Sequence, residues 1–252
     1  MYSPAEVARR YVETGKSKAV LPVGRMLLLG MLAGAFIALA GGSATFAVSY
    51  GGRLAGAAVF PAGLAMVLLA GSELFTGNCL LVIPLLERQL TWGRMLRSWG
   101  VVYLANVLGA GSVAALTVAA GTFDGIYESV VATAKAGLPF LTALLRGVLC
   151  NFLVCIAVWM SLAAQSVPGK LAAMYLPIFT FVLCGFEHSV ANMFYLPAGI
   201  LAAGRYGVAA EGLSWASMWT GNLLPVTLGN ILGGCLVGVV YWAVYLRRGR
   251  RA

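Results

Sequence analysis

Gly71-Ser72-Glu73-Leu74-Phe75-Thr76-Gly77-Asn78 interrupts a run from Ala55 to Leu86 that carries no other charged residue. A membrane span has little reason to hold a carboxylate, hydroxyls, an amide and two glycines so close together. In hydrocarbon each unsatisfied backbone polar group costs several kcal/mol, so irregular backbone survives only where protein covers it or where it lines a cavity. An ionisable side chain at that depth marks a functional site. The insertion recurs as Gly185-Phe186-Glu187-His188-Ser189-Val190-Ala191-Asn192, with Gly, Glu and Asn each displaced by 114 residues. Two broken helices in matching halves point to a substrate path through a membrane.

The rest of the chain fits that setting. It is 61% hydrophobic and 10% charged over 252 residues, with mean hydropathy +0.90, and such long apolar runs read as transmembrane helices. No cleavable leader is read in residues 1–18, so the first span is expected to stay. A net charge of +9 raises nucleic acid as a partner, but the basic residues gather at span ends, which argues against it. The five cysteines, Cys79, Cys150, Cys155, Cys184 and Cys235, lie in apolar stretches without a CxxC pair. They read as buried packing residues, and no metal site, disulfide framework or cofactor is expected.

Six crossings are expected, near 24–50, 55–86, 95–121, 138–164, 171–203 and 218–246. Three domains follow: a cytoplasmic amphipathic segment 1–22, a six-span channel domain 23–246 with repeats at about 23–121 and 138–246, and a basic cytoplasmic tail 247–252. Ser3-Pro4-Ala5-Glu6 reads as a capped helix start, and Arg9, Arg10, Lys16 and Lys18 would suit an anionic membrane surface. With both termini on one side, that side holds thirteen Lys and Arg residues and the other only Arg53, Lys135, Arg146 and Arg205. The imbalance puts both termini in the cytoplasm, as expected for a multi-pass protein of the inner (plasma) membrane. Leu29-Gly30 answers Arg146-Gly147, and Asn106-Val107-Leu108-Gly109 answers Asn230-Ile231-Leu232-Gly233. Three spans per repeat is an odd number, so the second copy enters from the other face and the repeats are inverted. The fold class read from these features is an all-α integral membrane protein with spans 2 and 5 broken.

The two interrupted motifs, with Thr91-Trp92-Gly93 and Ala157-Val158-Trp159-Met160-Ser161, resemble stretches of the formate/nitrite transporter family over essentially the whole chain. The resemblance implies an aquaporin-like fold, a homo-pentamer and one pore per protomer. It also implies that Thr76 and His188 are the loop threonine and central histidine of that pore, and that Lys135 and Asn151 are an outer pair that receives the anion. Phe60, Leu64, Leu74 and Phe181 match apolar rings that pinch the pore.

From chemistry, Thr76 is expected to cap the second half of its broken helix and to bond His188, fixing the imidazole tautomer. Glu73 and Glu187 are expected to accept the backbone N–H groups freed by the breaks, with Asn78 and Asn192 doing the same. Helix N-termini facing the centre favour an anion, and a lysine at the mouth concentrates it. Apolar rings oppose any charge, so a weak acid crosses best if it takes a proton in the centre. The expected function is a channel for small monovalent anions of weak acids, formate foremost, with histidine-assisted proton transfer. Nitrite, hydrosulfide, acetate and lactate are alternatives. A neutral-solute pore of the aquaporin kind lacks its Asn-Pro-Ala pair here. An enzyme is not expected, because the chain has no HExxH, no multi-histidine cluster and no GxxxxGK[ST].

Overall fold

The computed structural model describes residues 1–134 and 137–247. Lys135 and the tail from residue 248 lie outside the described residues, which are helical without a strand. Helix α1 (Pro4–Ala19) starts as its sequence dictates. Ser3 Oγ accepts the Glu6 N–H, Glu6 returns a carboxylate oxygen to the Ser3 N–H at 2.8 Å, and Pro4 holds the first turn. Its apolar face, Val7, Ala8, Tyr11 and Val12, packs in one cluster with Leu80, Ile83 and Trp159. Arg9 and Arg10 stay exposed. Lys18 departs from the membrane-surface expectation and reaches into the first break.

Helix α2 (Val23–Val59) is bent where Gly52 takes φ 73 and ψ −176, and α3 (Ala62–Ala70) ends at the left-handed Gly71. After the break come α4 (Phe75–Asn78), a 3₁₀ turn (Cys79–Leu81) and α5 (Val82–Leu86). Helix α6 (Trp92–Ala119) is capped by Thr91, whose Oγ1 accepts the Arg94 N–H. A short α7 (Tyr127–Thr133), not foreseen from the sequence, packs on α10. Helix α8 (Phe140–Ala163) precedes α9 (Val167–Cys184), which ends at the left-handed Gly185, and α10 (Ser189–Tyr206) resumes after the second break. The last stretch is α11 (Trp215–Ser217), a π-helical turn (Met218–Leu223) and α12 (Leu224–Tyr245).

Five stretches among the described residues are long and apolar enough to cross a membrane: Val23–Ala70, Trp92–Ala119, Phe140–Ala163, Val167–Cys184 and Trp215–Tyr245. The first joins α2 to α3 across the expected boundary between spans 1 and 2, and Phe75–Leu86 is a shorter apolar piece. Leucines such as Leu28, Leu104, Leu145, Leu176 and Leu232 point outward, an apolar exterior suited to lipid. The tight helix pairs are α2 with α6 and α8 with α12. A Cβ at Gly109 would strike the Met31 carbonyl, and one at Gly233 the Val148 carbonyl, so bare glycine lets these backbones touch. The cysteines are free, but Cys184 at the end of α9 is exposed and Cys235 on α12 is half-buried, contrary to the expectation that all five are buried.

Candidate functional site

Each break frees backbone groups, and a distant asparagine takes them up. In the first, the Phe75 N–H donates to Asn106 Oδ1 at 3.0 Å, while Asn106 Nδ2 donates to the carbonyls of Gly30 (2.7 Å) and Glu73 (3.0 Å). In the second, the Ser189 N–H donates to Asn230 Oδ1 at 2.9 Å, while Asn230 Nδ2 donates to the carbonyls of Gly147 (2.8 Å) and Glu187 (3.0 Å). The Glu73 N–H finds the Leu29 carbonyl, and the Glu187 N–H finds that of Arg146. The sequence shows Asn106 and Asn230 only as matching positions. Their work is to seal the backbone across helices, with donor and acceptor on one amide.

The carboxylates therefore serve differently from expectation. Glu73 accepts from Lys18 Nζ (2.8 Å) and Asn78 Nδ2 (2.8 Å), and Lys18 also reaches Asn78 Oδ1 at 3.3 Å. Glu187 Oε2 accepts from Asn192 Nδ2 (2.8 Å) and Asn222 Nδ2 (3.5 Å). Backbone N–H groups go to asparagine oxygens and main-chain carbonyls because these face the break directly. Asn222 arrives through the π-helical turn, which adds a residue to one turn and re-aims the side chain. In the first half Ser98 Oγ meets Asn78 Nδ2 at 3.5 Å. Lys18 leaves a testable contrast. Lys18→Met would strand a carboxylate whose side chain is 6% exposed, lowering stability by about 2–4 kcal/mol, somewhat less than breaking a fully buried pair because the Lys18 side chain is itself 25% exposed. Lys16→Met breaks the exposed pair with Glu13 and should cost under about 1 kcal/mol. Thermal unfolding in detergent reads both, and equal melting would refute the assignment.

Thr76 does not cap α4. The cap position is Leu74, without a side-chain bond, since Asn106 already holds the Phe75 N–H. Instead Thr76 Oγ1 lies 2.9 Å from His188 Nε2, joining the two breaks across 112 residues of sequence. His188 is the capping residue of α10, because its Nδ1 accepts the Ala191 N–H at 3.1 Å. A backbone N–H can only donate, so Nδ1 is an acceptor and the neutral ring carries its proton on Nε2. Ala191, and not Thr76 as expected, therefore fixes the tautomer. The Nε2–H donates to Thr76 Oγ1, which leaves the hydroxyl hydrogen for another acceptor.

Two cavities lie to either side of this pair. The larger, about 600 Å³, is lined by Phe60, Phe181, Arg53, Arg146 and His188 among others. The smaller, about 230 Å³, is bounded by Leu64, Leu74, Lys18 and Tyr11 among others. The Phe60 and Phe181 rings meet edge to face at 5.6 Å, and Phe181 lies 5.8 Å from the His188 ring. Asn151 is fully buried and lines neither cavity; its Nδ2 donates to the carbonyls of Thr76 (3.1 Å) and Asn230 (2.6 Å). Among the described residues no group of three or more His, Cys, Asp or Glu side chains is placed to hold a metal ion.

The chain resembles known proteins in sequence and in fold. The chain is 38% identical to a probable formate transporter of Methanothermobacter thermautotrophicus, with 97% of each chain covered. It is 35% identical to the formate channel FocA of Escherichia coli over 97% of this chain and 94% of that one. Among solved structures, an FNT family ion channel superposes with TM-score 0.86 at 29% identity, covering 94% of this chain and 98% of its own. A pentameric formate channel with formate bound superposes with TM-score 0.78 at 31% identity, covering 89% and 98%. The formate/nitrite transporter family model matches residues 5–243. This multi-pass membrane protein, with two sealed breaks meeting at Thr76 and His188, belongs to the formate/nitrite transporter family of channels.

Proposed function

We propose that the protein conducts small monovalent anions of weak acids, formate foremost, through each protomer of a homo-pentamer. The observation that carries the reading is the Thr76–His188 hydrogen bond between two cavities, at the meeting point of two broken helices. Lys135, outside the described residues, is proposed from the family resemblance alone as the lysine that receives the anion. The proposed path runs from the larger cavity, past Phe60 and Phe181, to His188 and Thr76. From there it passes Leu74 and Leu64 into the smaller cavity. Asn151 serves it by holding the Thr76 carbonyl. The formate channels among the relatives and the formate-bound pentamer support this substrate class and assembly. The twofold hydrogen-bond pattern supports two three-span repeats in inverted, aquaporin-like arrangement with six crossings. The excess of basic residues on the side of the termini supports cytoplasmic ends in the inner membrane.

The apolar rings oppose a bare anion, since burial disfavours charge. At the centre the anion meets His188, which lines the larger cavity, and behind it Thr76, whose hydroxyl oxygen is held by the Nε2–H of that ring. A proton lent to the anion leaves from that hydroxyl and is replaced from Nε2, which requires a doubly protonated ring. The ring reaches that state only by giving up its bond to the Ala191 N–H, so the neutral ring is the resting form. Native mass spectrometry should read five copies, and liposomes carrying them should take up formate faster than empty liposomes. Competition by nitrite, hydrosulfide, acetate and lactate ranks the permeants. A conducting monomer, or formate failing to compete with any other permeant, would overturn the reading.

A further inference from the structure

The larger cavity holds two basic side chains that the path described above does not use. Gly52, with φ 73, bends α2 so that Arg53 begins the segment turning back beside the second break. Its guanidinium lies over Gly185, where an added Cβ would collide with Nη2. Gly185 has φ +68, which also favours glycine. Arg146 sits on α8, and its carbonyl accepts the Glu187 N–H at 3.3 Å, so the residue that anchors the break also lines the cavity.

Among the described residues the ion pairs are Lys16–Glu13 and Lys18–Glu73, and neither guanidinium is in one. No hydrogen bond from either side chain is found among them. Both arginines line a cavity of about 600 Å³, together with Glu187, and a guanidinium carries five N–H donors. The smaller cavity differs, because its cation, Lys18, is committed to Glu73 and Asn78. A planar guanidinium fork matches a carboxylate, or the two oxygens of nitrite, better than an ammonium does.

We infer that Arg53 and Arg146 form a capture site for a small planar oxyanion in the larger cavity, ahead of the apolar rings. This rests on the anion-channel reading and adds the residues that load it. The asymmetry between the cavities makes entry from the larger one saturate at lower anion concentration than entry from the smaller. The competing role for Arg53 is structural, as a cation at the negative C-terminal end of α9. That role alone would change stability without changing the concentration dependence of uptake.

The test is uptake of labelled formate into proteoliposomes over a range of concentration. The parent is compared with Arg53→Gln, Arg146→Gln, both together, and the doubly lysine-substituted protein. The half-saturating concentration should rise about fivefold for each glutamine and more than about tenfold for the pair, as expected when a charged hydrogen-bonding partner is lost. The rate at saturating formate should fall by a smaller factor. Raising ionic strength should weaken capture in the parent and not in the glutamine pair. Lysines should recover most of the loss, since the charge returns without the fork. A parental half-saturating concentration in the glutamine pair overturns the inference, and so does a loss that lysine leaves unrepaired while melting falls. A parent that passes no formate removes the channel reading and this inference together, which separates the two failures.

Discussion

His188→Phe should still assemble but lose weak-acid flux on the order of a hundredfold between about pH 5 and pH 8, the scale of a positioned proton donor. The phenyl ring keeps the volume beside Phe181 and removes two hydrogen bonds. At Nε2 the donor to Thr76 Oγ1 disappears, and at Nδ1 the acceptor for the Ala191 N–H disappears. The second loss uncaps α10, which costs about 1 kcal/mol, so a modest drop in melting is expected as well. His188→Asn separates the effects, because asparagine is a good helix cap but does not titrate. It should melt close to the parent and conduct without pH dependence. Thr76→Val should lower flux and leave the shape of the pH profile intact, since Ala191 goes on fixing the tautomer. Parent-like formate flux and pH profile in His188→Phe would remove proton transfer from the mechanism.

Asn230→Leu should destabilise the protein by about 2–6 kcal/mol, because it strands the Ser189 N–H and the Glu187 carbonyl at about 1–3 kcal/mol each. Against a total of about 5–15 kcal/mol that is a large share, and yield of folded protein should collapse. Asn106→Leu should act alike, through the Phe75 N–H and the Glu73 carbonyl. Leu232→Ala on the same helix as Asn230 faces outward and should change melting little. Purified Asn230→Leu melting within about 2 °C of the parent would show that water seals the break instead.

The breaks themselves were legible because Gly, Glu and Asn stand out in an apolar run, and their spacing repeats. The start of α1 was legible for a similar reason, since Ser3, Pro4 and Glu6 form a local pattern that depends on no distant residue. What satisfies the breaks was not legible. Lys18 looked like a surface charge and Asn230 like one polar residue in a span, since hydrogen bonds across 55 or 41 residues leave no periodic trace. The π-helical turn that aims Asn222 is invisible for a related reason, because hydrophobic spacing does not report one extra residue per turn. Thr76 was given the cap by propensity, and tertiary structure handed that work to Asn106. The cavity-facing arginines were counted for orientation and given no chemistry, because nothing local places Arg53 above Gly185.

The origin of each hydrogen bond also orders events during synthesis. Leu29, Gly30 and Asn106 close the first break from within the first half, so that loop is complete once residue 106 has entered the membrane. The second break closes in the same way when Asn230 arrives. Thr76 is different, because its carbonyl waits for Asn151 and its hydroxyl for His188. A ribosome paused between the halves therefore holds a chain whose first break is closed by Asn106 while the Thr76 carbonyl and hydroxyl still lack their partners. The centre, where the two breaks meet, thus finds its hydrogen bonds only when the second half arrives.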